Sequence, residues 1–344
     1  MNKIILRYFS ATGNSRHISE KIANKAMSTG WAVDCQSIES DKKKLFVATG
    51  ETLVLVNPVL GFAPVTFMID YVKKMVSGCG SVYLITACGA MMGRTGVSKG
   101  YPGGSFALLE SILEKRGLTI AGTAAISLPD NFTQVFNPPS PDECKVIFDQ
   151  SANEIDALGE SIISGKTFRF SMPAWVRMLF IVGCPLFLRM GRFGLMHLFI
   201  ADHRCNGCGL CAKKCPAQVI TIDRRFPVWK SGCSGCGRCI NICKQKAIQT
   251  SMVRLAISLL LPLGIQVTGA WWLAGRGIAM GVGIGISWTV AILLMVLITV
   301  PLNRIYIEIA QPVFSLLERV PLLRSINAIS HTKNYHRYHA ENVS

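Results

Sequence analysis

Eight of the thirteen cysteines lie within residues 205–243, and they form a repeat. Cys205, Cys208, Cys211 and Cys215 recur 28 residues later as Cys233, Cys236, Cys239 and Cys243. Gly207 and Gly209 recur as Gly235 and Gly237, and Ile220 as Ile248. Each half reads C-x2-C-x2-C-x3-C, with Pro216 after the first. Three thiolates at three-residue steps wrap three corners of a cubane, while the fourth lies too far along the following helix and reaches the other cluster. The spacing therefore predicts two 4Fe–4S clusters. Cys205, Cys208, Cys211 and Cys243 hold cluster 1; Cys233, Cys236, Cys239 and Cys215 hold cluster 2. Structural zinc is the competing reading, because paired C-x2-C also suits zinc. Zinc takes four ligands per ion and leaves the third Cys of each run without a use.

A thiol-rich metal site points to a reducing compartment rather than a disulfide framework. Met1 runs straight into an apolar, strand-like stretch at 3–9, which does not read as a signal peptide. The five remaining cysteines, Cys35, Cys79, Cys88, Cys144 and Cys184, are expected to be small buried hydrophobes.

Over residues 199–250 the chain resembles the bacterial two-cluster ferredoxins, with Lys244 rather than Pro after the last Cys. The formal net charge of +16 falls almost wholly outside residues 1–165, where 15 Lys/Arg balance 15 Asp/Glu. Much of the excess lies at Lys213, Lys214, Arg224, Arg225, Lys230, Arg238, Lys244 and Lys246, where it offsets thiolate charge. Anionic lipid is the second partner that fits. No aromatic-interleaved basic groove or recognition motif appears, so nucleic acid is not expected.

Residues 1–165 alternate short apolar runs with helical patterns. Segments 3–9, 52–57, 81–87 and 119–128 read as buried parallel strands, 31–38 as a further strand, and 14–28, 65–76, 104–116 and 141–164 as helices. Such alternation predicts a doubly wound α/β sheet. After the first strand comes Ser10-Ala11-Thr12-Gly13-Asn14-Ser15-Arg16. A hydroxyl-rich turn opening a helix is an anion site, at the strand edge where doubly wound folds bind ligands. With this loop the domain resembles flavodoxin. The resemblance implies that Ser10, Thr12, Gly13, Asn14 and Ser15 hold the phosphate of flavin mononucleotide (FMN). It also implies that the loops of Asn57, Pro58 and Phe62 and of Ala87, Cys88 and Gly89 flank the flavin ring. Leu128-Pro129-Asp130-Asn131-Phe132, after the last strand, is similar to the same region of flavodoxin–ferredoxin fusion proteins, the family that the chain resembles over roughly 1–135 and 199–250.

Residues 166–198 form a basic, apolar linker that suits a membrane interface, or a helix packed between domains. Its run 178–188 is too short to span a bilayer, and Gly183 and Pro185 argue against one clean helix. Residues 255–275 and 277–303 carry no charge and are each long enough to cross a membrane. The segment 254–303 is therefore expected to be a transmembrane hairpin turning at Gly275-Arg276-Gly277, with Gly277, Gly281 and Gly285 letting the helices approach. Lys and Arg cluster outside the hairpin, so both termini and the redox domains are expected on the cytoplasmic side. Residues 304–344 read as short interfacial helices broken by Pro312 and Pro321, then a solvated tail with His331, His336 and His339.

The parts predict a membrane-anchored electron-transfer protein that passes low-potential electrons between a soluble donor and a membrane or partner acceptor. No side chain stands out as acid, base or nucleophile, and no motif makes NAD(P)H a direct donor. The hairpin holds no His, Asp, Glu or Lys, so it neither ligates a bis-histidine haem nor relays protons. Two other readings stay open. One is an intrinsic quinone reductase, with Gln266, Thr268, Trp271 and Trp272 as contacts; the other is a flavin-free redox-sensing or docking subunit, in effect a membrane-tethered ferredoxin.

Overall fold

Strands that are apolar on both faces can be buried only between two layers of helices. The computed structural model, which describes residues 3–41, 43–74, 76–279 and 284–342, forms that arrangement in its N-terminal half. The strands are β1 (Lys3–Tyr8), β2 (Ala32–Ser37), β3 (Thr52–Leu60), β4 (Ser81–Gly93) and β5 (Thr119–Pro129). They pair in parallel in the order β2-β1-β3-β4-β5. That order is the flavodoxin-like one, whose switch point lies between β1 and β3. Successive residues face opposite layers. Leu53 and Leu55 pack with Met68 of α2 (Thr66–Lys74) and Leu109 of α3 (Ser105–Glu114). Val54 and Val56 pack with Ile18 of α1 (Asn14–Ser28) and Ile155 of α4 (Pro141–Ile163). Each such fully buried aliphatic side chain contributes about 1.5–3 kcal/mol. Pro141 opens α4 at its first position, and Ser140 and Glu143 close a capping box.

The expected elements and the observed ones agree closely here, with one correction. The segment 87–90 is not a loop: Ala87, Cys88, Gly89 and Ala90 continue β4 and pair with Ile126, Ser127, Leu128 and Pro129. Residues 57–60 likewise continue β3, which turns back at Gly61 so that Leu60 pairs with Ala63. The short side chains at 87–90 let pairing run on, and at Gly89 a Cβ would collide with the Asp130 carboxylate. Phe168, near the start of the linker, bridges to Gly122, and its ring lies 5.3 Å from that of Tyr83.

The cysteine-rich module is small. β6 (Phe199–Ala201) pairs antiparallel with β9 (Ile248–Thr250), and β7 (Ile220–Asp223) with β8 (Phe226–Trp229). Two one-turn helices, α6 (Leu210–Lys213) and α7 (Arg238–Asn241), follow Gly209 and Gly237. Those glycines have φ of 70° and 69°, a left-handed turn that brings the chain from the cysteine loop into the helix.

Helix α5 (Ala174–Leu186) precedes the module and passes into a π-helical turn at Phe187–Gly191, two residues beyond Pro185. After the module come α8 (Met252–Ala279), α9 (Ile284–Leu317) and α10 (Pro321–Asn327). Helix α8 continues through Gly275-Arg276-Gly277 instead of turning there. Arg276 lies over the Trp272 ring at 5.0 Å, a contact one helical turn back. A Cβ on Gly277 would meet Ser287 Oγ at 2.7 Å, so the missing side chain serves close helix packing. Gly281, expected in the same stripe, lies outside the described residues. α9 continues past Pro301 and Pro312, whereas Pro321 starts α10 at its first turn.

The tail is the largest departure. It folds back as part of the protein: Thr332 Oγ1 donates to Gln249 Oε1 at 2.8 Å, and Tyr338, 3% exposed, packs on Cys144. The reason is polar complementarity over long sequence separation, which no local pattern announces. Of the five scattered cysteines, Cys88, Cys144 and Cys184 are buried, Cys35 is half-buried and Cys79 is exposed.

Candidate functional site

The turn from β1 into α1 forms a cradle at the switch point. Gly13 has φ +106°, which a side chain disfavours, and its N–H donates to Ser10 Oγ at 3.1 Å. Thr12, Asn14 and Ser15 are all buried. The Ser15 hydroxyl, in the first turn of α1, has no hydrogen-bond partner, and neither has the buried Oδ1 of Asn57. A buried hydroxyl without a partner is costly. A phosphate at the positive end of α1 satisfies it, so these residues fit the group that the loop resembles.

The cradle is held from three directions. Asn131 Nδ2 donates to Thr12 Oγ1, and Asn14 Nδ2 donates to Pro129 O at 2.9 Å. The tail closes over the loop: Ala340 N–H donates to Thr12 O at 2.7 Å, Tyr338 OH donates to Asn14 Oδ1, and Arg16 pairs with Glu341 at 2.7 Å. A Cβ on Gly13 would lie 2.5 Å from that of Ala340, so the loop glycine also makes room for the tail. Burial pushes the Tyr338 phenol well above its usual pKa and raises the Asp130 carboxyl.

The third hold comes from the cysteine module. Arg238 donates to Ser10 O at 2.7 Å, to Ala11 O at 3.2 Å and to both carboxylate oxygens of Glu39, with its guanidinium 5.6 Å from the Phe9 ring. Asn241 Nδ2 donates to Asn131 O at 3.1 Å, and Asn241 Oδ1 accepts from Thr133 Oγ1 and Tyr338 N. Cys236 packs in the same apolar core as Ile5, Phe9 and Ala11.

The thiols fall into two groups. Burial, then repulsion from Cys205, Cys243 and Cys208, pushes Cys211 up to about 11. Cys239 is raised by burial and then by Cys233 and Cys236, and Cys236 by burial and Cys215, against the N–H and guanidinium of Arg238. Cys211 thus feels Cys243, and Cys236 feels Cys215, so thiols of the two halves of the repeat lie close enough to interact. Among the described residues no three His, Cys, Asp or Glu side chains converge on a single-ion site. Soft thiolate donors suit an iron–sulfur cluster.

Around the expected ring position the aromatic residues come from an unforeseen place. Phe62 is 47% exposed, and its neighbours are Phe180 and Phe187 of the linker, with ring centroids 5.9 and 6.0 Å away. Tyr101 lies 6.3 Å from Phe180. Phe180, Phe187, Arg238, Asn241 and Tyr338 were not foreseen. Arg238 and Asn241 carry a signal nonetheless, because they replace Leu210 and Lys213 of the first half-repeat.

Strand order and cradle define a flavodoxin-like domain, joined to a module built to hold iron–sulfur clusters. Comparisons with known proteins agree with the second part. Residues 200–221 match the 4Fe–4S binding domain and residues 211–254 match the LdpA Fe–S cluster-binding domain. No curated protein matches the chain. Among solved structures, flavodoxin 1 from Bacillus cereus is 14% identical, with a TM-score of 0.33, covering 47% of this chain and 97% of that one. A flavodoxin from the domain Archaea is 16% identical, with a TM-score of 0.32, covering 47% and 96%. The rubredoxin:oxygen oxidoreductase of Desulfovibrio gigas is 12% identical, with a TM-score of 0.25, covering 47% and 37%. The fold assignment rests on the strand order itself.

Proposed function

We propose that this chain is a membrane-anchored flavo-iron–sulfur electron-transfer protein. FMN sits on the loop of residues 10–15, and two 4Fe–4S clusters sit in the two cysteine quartets. The observation that carries this reading is the bond of Arg238 to Ser10 O and Ala11 O. It seats the Cys233/Cys236/Cys239/Cys215 quartet against the phosphate loop. The other quartet faces away, with Cys205 Sγ donating to Arg225 O at 3.5 Å, toward the open end of the α8–α9 pair. A bound flavin supplies a couple that takes electrons in pairs and releases them singly, and each cluster carries one. Arg238 and Asn241 hold the two domains in one register, and the Arg238 charge offsets that of the thiolates beside it.

Membrane anchoring is supported by α8, which is 28 residues long with a mean hydropathy of 1.6 and 6% of its apolar window buried. At 1.5 Å per residue such a helix exceeds the hydrocarbon thickness of about 30 Å. α9 runs back along it, with Ala270 and Ala274 packed on Ala291, and the pair is read as a transmembrane hairpin. α5 exposes Trp175, Met178, Leu179 and Val182, an apolar face suited to the interface. Lys244 and Lys246 precede the pair and Arg319 and Arg324 follow it, a balance that supports a cytoplasmic side for both termini.

Anaerobic purification in detergent with analysis of flavin, iron and sulfide tests the reading. We expect one FMN and about eight iron and eight sulfide per chain. Iron without flavin leaves a membrane-tethered ferredoxin, and release of the chain from membranes by alkaline carbonate removes the anchor. One observation favours intrinsic quinone reduction as a second reading: an apolar cavity of about 790 Å³ between α3 and α5, lined by Phe170, Phe180 and Leu188. Reduction of a menaquinone analogue by the purified protein and a strong reductant, without partners, would establish it.

A further inference from the structure

A second cavity, of about 460 Å³, lies where the cysteine module meets the open end of the helix pair. Its walls are the β7–β8 turn, the end of α9 with α10, and the residues just before Cys205. Five cations line it, Arg224, Arg225, Arg319, Arg324 and Lys333, against three carboxylates. All three carboxylates are already engaged. Asp202 is held by Arg204 at 2.6 Å, Glu318 pairs with Arg254, and Asp223 takes Arg319 at 3.2 Å. Arg204 and Arg254 stand outside the cavity lining. Among the described residues, then, Arg224, Arg225 and Lys333 have no carboxylate partner, and Arg324 feels Glu318 without forming an ion pair with it.

Two of these cations are built into place. Arg324 is half-buried, donates to Ala201 O at 3.3 Å and stacks 3.6 Å from the Phe226 ring. Arg225 lies 4.8 Å from the same ring. Two guanidiniums sharing one aromatic ring repel each other unless an anion lies between them or beside them. Arg224 holds φ +57°, a strained conformation for a residue with a side chain, in the turn that presents this pair. The thiolates of the Cys205 quartet supply some negative charge, since Cys205 feels Arg225 and Arg324 feels Cys205. They lie behind the lining rather than within it.

We propose that this cavity binds a phosphate group, and that the headgroup of an anionic phospholipid supplies it. Arginine forks match phosphate oxygens, and basic pockets at the membrane surface recognise acidic headgroups. The lipid source rests on the membrane reading above, because only then does the open end of the hairpin meet headgroups. The ligand would sit beside the Cys205 quartet, so its charge would make that cluster harder to reduce.

The test uses the full chain with its clusters, reconstituted in nanodiscs of phosphatidylcholine with or without phosphatidylglycerol, and in detergent with inorganic phosphate. The readouts are bound lipid by native mass spectrometry and the midpoint potential of each cluster by electron paramagnetic resonance. Phosphatidylglycerol is expected to be retained and to lower one midpoint only, and R225Q and R324Q each to weaken retention about fivefold. A shift with inorganic phosphate alone, lost in the same variants, supports the phosphate pocket and assigns the source to a free anion. No retention and no shift with either probe overturns the proposal. A variant that loses its iron is replaced by K333Q, which lies on the tail and touches no cysteine. The phosphate arm needs no bilayer, and fractionation tests the anchor separately, so the two readings fail independently.

Discussion

Cys236 packs with Ile5 and Phe9 inside the core of the α/β domain, whereas Cys208, at the same place in the first half-repeat, is exposed. The two quartets share their spacing but not their surroundings. One lies against the loop of residues 10–15 and the other against the open end of the α8–α9 pair. The difference arises where the repeat breaks. Leu210 and Lys213 in the first half become Arg238 and Asn241 in the second, and those two residues make the bonds that seat the module. A repeat that is symmetric in its cysteines thus becomes asymmetric in its packing through two residues on one short helix.

Removing one ligand breaks the comparison most severely. Cys236→Ser and Cys208→Ser should each cost one cluster, about four of the eight iron. Only Cys236→Ser should also loosen the domain contact, seen as faster proteolysis between the two modules. Equal proteolysis in the two variants would remove the asymmetry. Thr12→Asp comes next: a carboxylate in the phosphate cradle should expel flavin by charge repulsion while leaving iron unchanged. Retained FMN would sink the loop assignment.

Arg238→Leu makes the second half-repeat match the first. It leaves Glu39 and three carbonyls, those of Ser10, Ala11 and Lys214, without their donor, and since Glu39 is part-exposed we expect a loss of about 1–3 kcal/mol in urea unfolding. Leu210→Ala, at the matching position, should leave the domain contact intact. Tyr338→Phe removes the donor to buried Asn14 Oδ1, a cost of about 1–2 kcal/mol, read as roughly tenfold weaker flavin binding. Tyr335→Phe should bind flavin as the parent does.

The smallest effect concerns pH. Burial raises the Asp130 carboxyl above its ordinary value of 3.8, so the folded state holds its proton longer than the unfolded chain does. Stability should therefore fall as pH rises from below 3.8 through the folded pKa. Asp130→Asn should flatten that slope in acid-range unfolding curves.

Much of this was readable along the chain because it is local. Parallel strands buried on both faces read as apolar runs, and α1 begins and ends at the residues its pattern marks, Asn14 and Ser28. The extension of β4 through Gly89 was not readable, since it depends on the Asp130 carboxylate filling the space that glycine leaves. The hairpin turn was misplaced because the helix runs on through Gly275 and Gly277, and Gly277 serves packing against Ser287 rather than chain reversal.

Sequence alone determined the ligand chemistry and the layer architecture, because cysteine spacing and apolar periodicity are properties of a few adjacent turns. Tertiary structure decided which quartet meets the phosphate loop and where the tail ends. The Tyr338–Asn14 contact joins residues 324 apart, and the Arg238–Ser10 contact residues 228 apart. Hydrogen bonds at such separation leave no periodic trace, because their geometry exists only once both domains have folded and met.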